Sequence, residues 1–129
     1  MNIHHVGYLV KNVEKASDKF KLLGFSAKSE AVYDNFRKIY ILFMEKDGYT
    51  IELVASASED SVVAGLYKKY RNTPYHFCYT TNRFEYDMNK LAESGFVQMG
   101  EPCPAPAINN KNAVFFMSNI LGIVELVEE

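Results

Sequence analysis

The stretch HHVGY at residues 4–8 decides the fold, because a related stretch, YHFCY, occupies residues 75–79. A shift of 71 positions superposes His5 on His76 and ends both stretches on a tyrosine. A match of this length alone can arise by chance. It becomes informative only if other parts of the two halves follow nearly the same shift.

Later segments of the two halves also match. Residues 38–44 (KIYILFM) align with residues 111–117 (KNAVFFM) at a shift of 73 positions, and IELV at 51–54 aligns with VELV at 124–127. The matches keep one order and drift by only two positions. We therefore interpret the chain as two copies of one structural unit.

Each copy has the residue pattern of a strand, a helix and three further strands. In the first copy, residues 3–10 are β-branched and apolar, which favours a strand. Asn12 can cap the following helix, and Gly24 stands where a helix commonly ends. Three more strands are predicted near residues 26–33, 38–46 and 49–55.

The second copy repeats this order after a connecting segment that has the pattern of a short amphipathic helix near residues 58–71. Asn82 and Glu85 have the spacing of a capping box at the start of its helix. Three prolines predict a stiff extended loop: Pro102, Pro104 and Pro106. The remaining strands are predicted near residues 96–100, 112–118 and 122–128.

We therefore predict an α+β fold built from two tandem βαβββ modules within a single domain of residues 1–129. Module 1 is residues 1–55, the connecting helical segment is 56–73, and module 2 is 74–129. The length of 129 residues agrees with one domain, since a single core of about 100–150 residues is the commonest size.

The composition excludes several classes of protein. The formal net charge of −2 provides no basic field for nucleic acid. The longest apolar run has six residues, 39–44, whereas a membrane span needs about 20. The two cysteines cannot form a disulfide framework, and the first residues lack the pattern of a signal peptide. We expect a cytoplasmic protein without nucleic-acid or membrane partners.

Four polar residues lie inside otherwise apolar strand patterns, and the repeat pairs His5 with His76 and Glu52 with Glu125. Taken singly, such a glutamate usually faces solvent and such a histidine is usually an ordinary core or surface residue. A buried carboxylate is costly unless something neutralises it. Two imidazoles and two carboxylates would form a net-neutral shell for a divalent ion such as Zn, Ni, Co, Fe or Mn.

Two residues near these four, His4 and Cys78, are not interpreted as metal ligands. His4 has no counterpart in the second copy, where Tyr75 stands, and side chains alternate along a strand. We therefore expect His4 to face away from His5. Cys78 shares the face of His76 by the same alternation and is interpreted as a packing residue.

These residues resemble the motifs of the vicinal oxygen chelate superfamily, which includes glyoxalase I, methylmalonyl-CoA epimerase, extradiol dioxygenases and bleomycin- or fosfomycin-resistance proteins. The motifs are HVGY at 5–8, IELV at 51–54, HFCY at 76–79 and GIVELV at 122–127. The resemblance implies a mixed sheet that curls into a cleft around one divalent ion per chain, Ni, Zn or Co. It also implies the metal ligands, which would be His5, Glu52, His76 and Glu125.

The same resemblance implies a function. The His, Glu, His, Glu set is most similar to bacterial glyoxalase I, a lactoylglutathione lyase that acts on the thiohemiacetal of methylglyoxal. The reaction is proton transfer beside a thiohemiacetal or thioester through a metal-stabilised enediolate. Glu125 is the first choice for the base, with Glu52 second. One alternative is racemisation of an acyl-CoA, as in methylmalonyl-CoA epimerase, and another is an antibiotic-binding protein without catalysis.

Substrate-binding residues stay open, because two positions depart from the glyoxalases. Glutathione-using glyoxalases carry an Arg and an Asn where this chain has Leu9 and Ser56. Epimerases use a second base near the position of Asp34, although an aspartate in a turn is commonly structural. We also expect a homodimer in which one chain supplies all four ligands, with a small-molecule thiol adduct or acyl-CoA as substrate.

Overall fold

The two copies fold in the predicted order of strand, helix and strands, which confirms the α+β class and the βαβββ module. The computed structural model describes all residues from Met1 to Glu129. The elements are, in chain order, β1 (Asn2–Leu9), α1 (Val13–Leu22), β2 (Ser26–Ala27), β3 (Val32–Asp34), β4 (Ile39–Lys46), β5 (Tyr49–Ser56), α2 (Ala64–Tyr70), β6 (Thr73–Thr81), α3 (Phe84–Glu93), β7 (Val97–Ala105), a 3₁₀ helix (Pro106–Ile108), β8 (Lys111–Ser118) and β9 (Gly122–Glu128).

The chain divides into two compact units. The N-terminal unit is Val6–Pro74, and the C-terminal unit is Tyr75–Glu129 together with Met1–His5. Strand β1 therefore contributes its first residues to one unit and its last residues to the other. Each unit contains a mixed sheet with one parallel pair, β1 with β5 in the first and β6 with β9 in the second.

In the N-terminal unit the strand order is β2–β4–β5–β1, and β3 also pairs with β4. The single strand predicted near residues 26–33 is divided into β2 and β3. Ala27 lies opposite Met44 and Val32 lies opposite Ile41, so four residues face two across the ladder. The surplus residues cannot stay paired, and the strand is interrupted there.

In the C-terminal unit the strand order is β6–β9–β8–β7. Strand β7 is longer than predicted and includes Pro102 and Pro104, which were expected in a loop. Proline lacks a backbone N–H, but an edge strand has one unpaired side and tolerates it. The pairing of β7 with β8 also shifts register between Met99 and Cys103, where a ladder hydrogen bond is not required.

Helix α1 begins and ends as its sequence predicts. The side-chain oxygen of Asn12 accepts the backbone N–H of Lys15 at 2.9 Å. The chain turns out of the helix at Gly24, whose φ of +93° is in the left-handed region that favours glycine.

Helix α3 begins differently from the prediction, and the capping box of Asn82 and Glu85 is wrong. No side chain of the residue before the helix caps it. Instead, Thr81 Oγ1 accepts the backbone N–H of Arg83 at 3.0 Å and donates its own proton to the buried carboxylate of Asp87. In this arrangement a side chain of the preceding strand accepts a backbone N–H at the start of the helix, which has no acceptor within the helix itself.

Repeat-equivalent leucines lie at the centre of the two cores. Leu53 and Leu126 are both fully buried. Leu53 packs in a cluster with Leu42 and Met44, and residues of α1 cover that cluster. Leu126 packs with Val114, Phe116 and residues of β6 and α3. Burial of such side chains stabilises each unit by about 1.5–3 kcal/mol per residue.

The connecting segment forms helix α2 within the range that the sequence predicts. It is a short helix with two lysines, Lys68 and Lys69, in its last turn, where cations are stabilised by the helix dipole. None of the helices α1, α2 and α3 is long and apolar enough to cross a membrane.

Truncating the two core leucines should destabilise the protein to a similar degree. Leu53→Ala and Leu126→Ala should each lower the free energy of unfolding by about 2–5 kcal/mol, since each leaves a cavity in a fully buried cluster. Urea denaturation measures the change. Leu22→Ala is the control, because Leu22 is 81% exposed and its removal should change stability by less than about 0.5 kcal/mol. A Leu126→Ala protein as stable as this control would contradict the assignment of the core.

Candidate metal centre

Strand register brings three of the predicted ligands together within the C-terminal unit. Cys78 on β6 lies opposite Glu125 on β9 in a parallel pair. His76 is two residues before Cys78, so its side chain is on the same face of the sheet. His5 belongs to the same unit through the first residues of β1. All three ligand residues are buried, with exposures of 1% for His5, 3% for His76 and 5% for Glu125.

The three ligand atoms form a small triangle. The Nε2 atoms of His5 and His76 are 3.2 Å apart. Glu125 Oε2 is 3.3 Å from His5 Nε2 and 2.9 Å from His76 Nε2. The two imidazoles therefore direct the same ring atom at one carboxylate oxygen.

These separations fit a common metal ion. Two ligand atoms at about 2.0–2.2 Å from zinc, at angles between octahedral and tetrahedral, lie about 2.8–3.6 Å apart. All three distances are within that range. Glu125 Oε2 is buried, and His76 Nε2 lies 2.9 Å from it. Shared ligation of one ion is therefore an arrangement that these three separations allow.

The charge state of Glu125 also agrees with a ligand role. Burial raises the pKa of this carboxyl, but hydrogen bonds and positive charge from His5 and His76 together lower the pKa by more, to well below its ordinary range. The carboxyl is therefore ionised at neutral pH. Any positive charge in the triangle favours this form, and a divalent ion would do so strongly.

The ring of His76 is held by aromatic neighbours. Tyr75 and Phe115 each contact it edge-on, with ring centroids 4.4 and 5.3 Å away and interplanar angles of 88° and 87°. Such contacts restrict rotation of the imidazole. They help to keep Nε2 close to Glu125 Oε2, 2.9 Å away.

Glu52 occupies the equivalent position in the N-terminal unit. It is 5% exposed on β5, between Gly7 on the parallel neighbour and Phe43 on the antiparallel one. Glu125 lies in the same way between Cys78 and Phe115. The local surroundings of the two glutamates are thus repeated, and the role of Glu52 as a fourth ligand stays a prediction.

The orientation of His4 agrees only in part with the prediction that this residue faces away from His5. Its side chain is exposed while His5 is buried, as alternation along the strand requires. However, the two rings do not separate: His4 Nδ1 is 2.8 Å from His5 Nδ1, and the ring planes meet at 78°. Cys78 is fully buried, and its sulfur lies within 4.8 Å of ligand atoms of both histidines. The alternation of side chains along a strand could not predict the contact between the rings of His4 and His5.

Asp34 is engaged in a turn. Its Oδ1 accepts the backbone N–H groups of Phe36 and Arg37 at 3.0 and 2.9 Å, and its Oδ2 accepts Arg37 Nη1 at 2.9 Å. Both oxygens of this buried carboxylate have local partners. It is therefore suited to holding the turn between β3 and β4, and poorly suited to act as a mobile base.

Leu9 and Ser56 stand at the two positions where glutathione-using glyoxalases carry an Arg and an Asn. Here one side chain packs in the core and the other is bonded in a turn. Leu9 is fully buried in β1. Ser56 Oγ donates to the carbonyl of Ser58 at 2.6 Å and also contacts Ser61 Oγ at 2.6 Å. Neither side chain provides a polar group for a peptide-like thiol.

The chain is similar to one family model and to several solved structures. The sequence matches the model of the Glyoxalase/Bleomycin resistance protein/Dioxygenase superfamily over residues 4–125. A hypothetical protein from Bacillus halodurans C-125 has a similar structure, with a TM-score of 0.87, 20% identity, and coverage of 99% of this chain and 94% of that one. A search of curated proteins finds no match to the sequence.

Two methylmalonyl-CoA epimerases are also similar in structure. The epimerase from Mycobacterium tuberculosis has a TM-score of 0.84 and 20% identity, covering 98% of this chain and 87% of its own. The Streptomyces coelicolor epimerase in complex with 2-nitronate-propionyl-CoA has a TM-score of 0.84 and 16% identity, covering 100% and 94%. At these identities the likeness shows the fold.

The turn role of Asp34 can be tested by stability. Asp34→Asn should lower the free energy of unfolding by about 3–5 kcal/mol, since it leaves the Arg37 guanidinium buried beside a neutral amide. Thermal or urea unfolding measures this. Asp47→Asn, in the exposed turn between β4 and β5, is the control and should have little effect. An Asp34→Asn protein of unchanged stability but without turnover would contradict the structural role and return Asp34 to catalysis.

Proposed function

Because the chain belongs to the Glyoxalase/Bleomycin resistance protein/Dioxygenase superfamily, we propose that it is a divalent-metal-dependent enzyme that moves a proton at a carbon next to a thioester or thiohemiacetal. The observation that carries the proposal is the convergence of His5 Nε2, His76 Nε2 and Glu125 Oε2 within 3.3 Å of one another.

The proposed ligands are His5, Glu52, His76 and Glu125, with one ion per chain. Two neutral imidazoles and two carboxylates balance a charge of +2, which removes the cost of burying the carboxylates. The absence of thiolate from this set suits Zn, Ni or Co. Glu52 is included because it has the repeat-equivalent position on its strand and is equally buried.

In the proposed mechanism, a bound divalent ion supplies Lewis acidity to the substrate oxygen. Glu125 removes the proton from the adjacent carbon and returns it, and its burial keeps water from competing for that proton. A positioned base of this kind contributes about 10²–10⁴-fold to rate. Glu52 is the second candidate for the base.

We favour an acyl-CoA thioester as the substrate. The solved structures with this fold include methylmalonyl-CoA epimerases, one of them in complex with a CoA ester analogue. Leu9 is apolar, and the hydroxyl of Ser56 is bonded within its own turn, so neither matches the Arg and Asn of glutathione-using glyoxalases. An epimerase reaction needs carboxylates that can both remove and return a proton, and Glu125 and Glu52 are the two that the repeat supplies.

A glyoxalase I-like reaction is the second candidate, because the His, Glu, His, Glu set is the one that resembles those enzymes. It would move a proton between the two neighbouring carbons of a thiohemiacetal, whereas the first candidate removes and returns a proton at one α-carbon, and Glu125 would be the base in both. Exchange of the α-proton for deuterium in methylmalonyl-CoA, measured beside turnover of methylglyoxal thiohemiacetals, separates the two. Tight binding of an antibiotic without either reaction would contradict both.

Removing one imidazole should abolish tight metal binding. Wild-type protein given Zn, Ni or Co and then desalted should retain about one ion per chain, as expected for a site with four protein ligands. His76→Ala should lose affinity by more than the about 10–100-fold typical of an outer partner. Calorimetry and elemental analysis measure both. Phe77→Ala is the control, since Phe77 is next in the chain but half-exposed on the opposite face. Equal binding by His76→Ala and wild type would disprove the site.

Replacing the proposed base should separate catalysis from metal binding. Glu125→Gln should keep the fold and much of the metal, yet lose about 10²–10⁴-fold in turnover, because an amide is a poor base. Glu128→Gln is the control on the same strand, since Glu128 is exposed and bonds only to Asn112 at 3.0 Å among the contacts described. Near-wild-type turnover by a metal-loaded Glu125→Gln protein would transfer the role to Glu52.

The site should be complete within one chain, even if the protein is a homodimer. Chains carrying His5→Ala and chains carrying Glu125→Gln can be unfolded, mixed and refolded together. Because His5, His76 and Glu125 converge within a single chain, every site in the mixture should still carry a defect and remain inactive. Recovery of activity on mixing would show that two chains share each site.

A further inference from the structure

The contact between His4 and His5 is not used by the proposed mechanism. Their Nδ1 atoms are 2.8 Å apart, and their ring centroids are 5.1 Å apart with nearly perpendicular planes. This distance is that of a good hydrogen bond. His5 is buried with 1% exposure, whereas His4 is exposed.

A hydrogen bond between two Nδ1 atoms needs one proton and one lone pair. A neutral imidazole carries a single N–H, so the direction of this bond decides the tautomer of His5. If His5 donates, its proton is on Nδ1 and its Nε2 has a lone pair. If His4 donates, the proton of His5 is on Nε2, where it would face His76 Nε2 at 3.2 Å and Glu125 Oε2 at 3.3 Å.

Only the first direction allows His5 Nε2 to be a ligand. A metal-bound histidine characteristically donates its other ring N–H to an acceptor, which fixes the tautomer and the orientation of the ring. The ring of His4 is exposed and that of His5 is buried, and the 2.8 Å contact joins their Nδ1 atoms. The direction of this hydrogen bond therefore fixes the tautomer of the buried ring.

We propose that His4 is a positioning residue that accepts the Nδ1 proton of His5 and so keeps the lone pair of His5 Nε2 directed at His76 and Glu125. The proposal rests on the metal centre proposed above. It adds to that centre a residue that is exposed, lies outside the repeat and does not touch the ion.

A different metal site that included His4 and His5 would require the opposite protonation of His5 Nδ1. Ligand atoms of His4, His5 and Cys78 lie within 4.8 Å of one another, a spacing that would also allow a thiolate-containing metal site. A site that used His5 Nδ1, the ring atom next to His4 Nδ1, would need a lone pair there, whereas donation to His4 needs a proton there. The two alternatives therefore differ in one observable, the presence of a proton on His5 Nδ1.

Nuclear magnetic resonance of ¹⁵N-histidine-labelled, zinc-loaded protein tests the proposal. Long-range ¹H–¹⁵N spectra should show His5 protonated at Nδ1, with a proton that exchanges slowly with water and is shifted downfield by its hydrogen bond. In His4→Phe, which keeps a ring but removes the acceptor, this proton should exchange fast. An unprotonated Nδ1 of His5 in the wild type would overturn the proposal.

Zinc affinity provides the second readout. His4→Phe should bind zinc about 10–100-fold more weakly, as is typical for loss of an outer partner. His4→Asn should restore affinity to within about threefold, since its amide oxygen can accept the same proton near the position of Nδ1. Cys78→Ser is the control and should bind zinc like the wild type. Wild-type affinity in His4→Phe, failure of His4→Asn to restore it, or loss of zinc in Cys78→Ser would each overturn the role of His4.

The experiment distinguishes failure of this inference from failure of the proposed function. If wild-type protein binds no zinc, the metal centre is wrong. The metal-free spectrum then decides for His4 alone: a proton on His5 Nδ1 supports donation to His4, and its absence contradicts it. If zinc binds through His76 and Glu125 but His4→Phe changes nothing, the metal centre stands and the role of His4 does not.

Discussion

A buried carboxylate between two imidazoles is the interaction on which the rest of the C-terminal unit depends. Glu125 is 5% exposed, and its strand neighbours Val124 and Leu126 are buried in the core. An ionised carboxyl in such a place would be expelled or neutralised unless positive charge or hydrogen-bond donors surround it. His5 and His76 supply that environment, and they do so from β1 and β6 because the parallel register of β6 and β9 aligns the faces of the two strands. The site therefore follows from the same pairing that builds the unit.

Duplication explains why the chain has two such glutamates. Glu52 and Glu125 lie between equivalent neighbours in the two units, and Leu53 and Leu126 beside them are both fully buried. A duplicated module reproduces the polar residue together with the core that supports it. The departures from the repeat are then informative. His4 stands where the second copy has Tyr75, and the two partners hold their neighbouring histidines in different ways, one by a ring nitrogen and the other by an edge-on aromatic contact.

Chemistry at this site would use few groups. Asp34, the other buried carboxylate that resemblance to epimerases indicated, has both oxygens occupied by Arg37 and by backbone N–H groups. The paired glutamates are therefore the groups that we propose as acid and base. Leu9 is buried and Ser56 is bonded within its own turn.

The sequence by itself determined the repeat, the α+β class, the start of α1 and the four polar positions, because each of these is written in local spacing: apolar periodicity, a cap residue or a motif that recurs at a fixed shift. Tertiary structure alone decided the rest. Register divided the predicted strand into β2 and β3, and a place at the edge of the sheet admitted Pro102 and Pro104 into β7. Contacts with Thr81 and Arg83 replaced the predicted cap of α3 and assigned Asp87 its partners. The pairing of His4 with His5 belongs to this second group, because alternation states which side of a strand a residue leaves from, whereas ring conformation and packing decide which atoms it finally reaches.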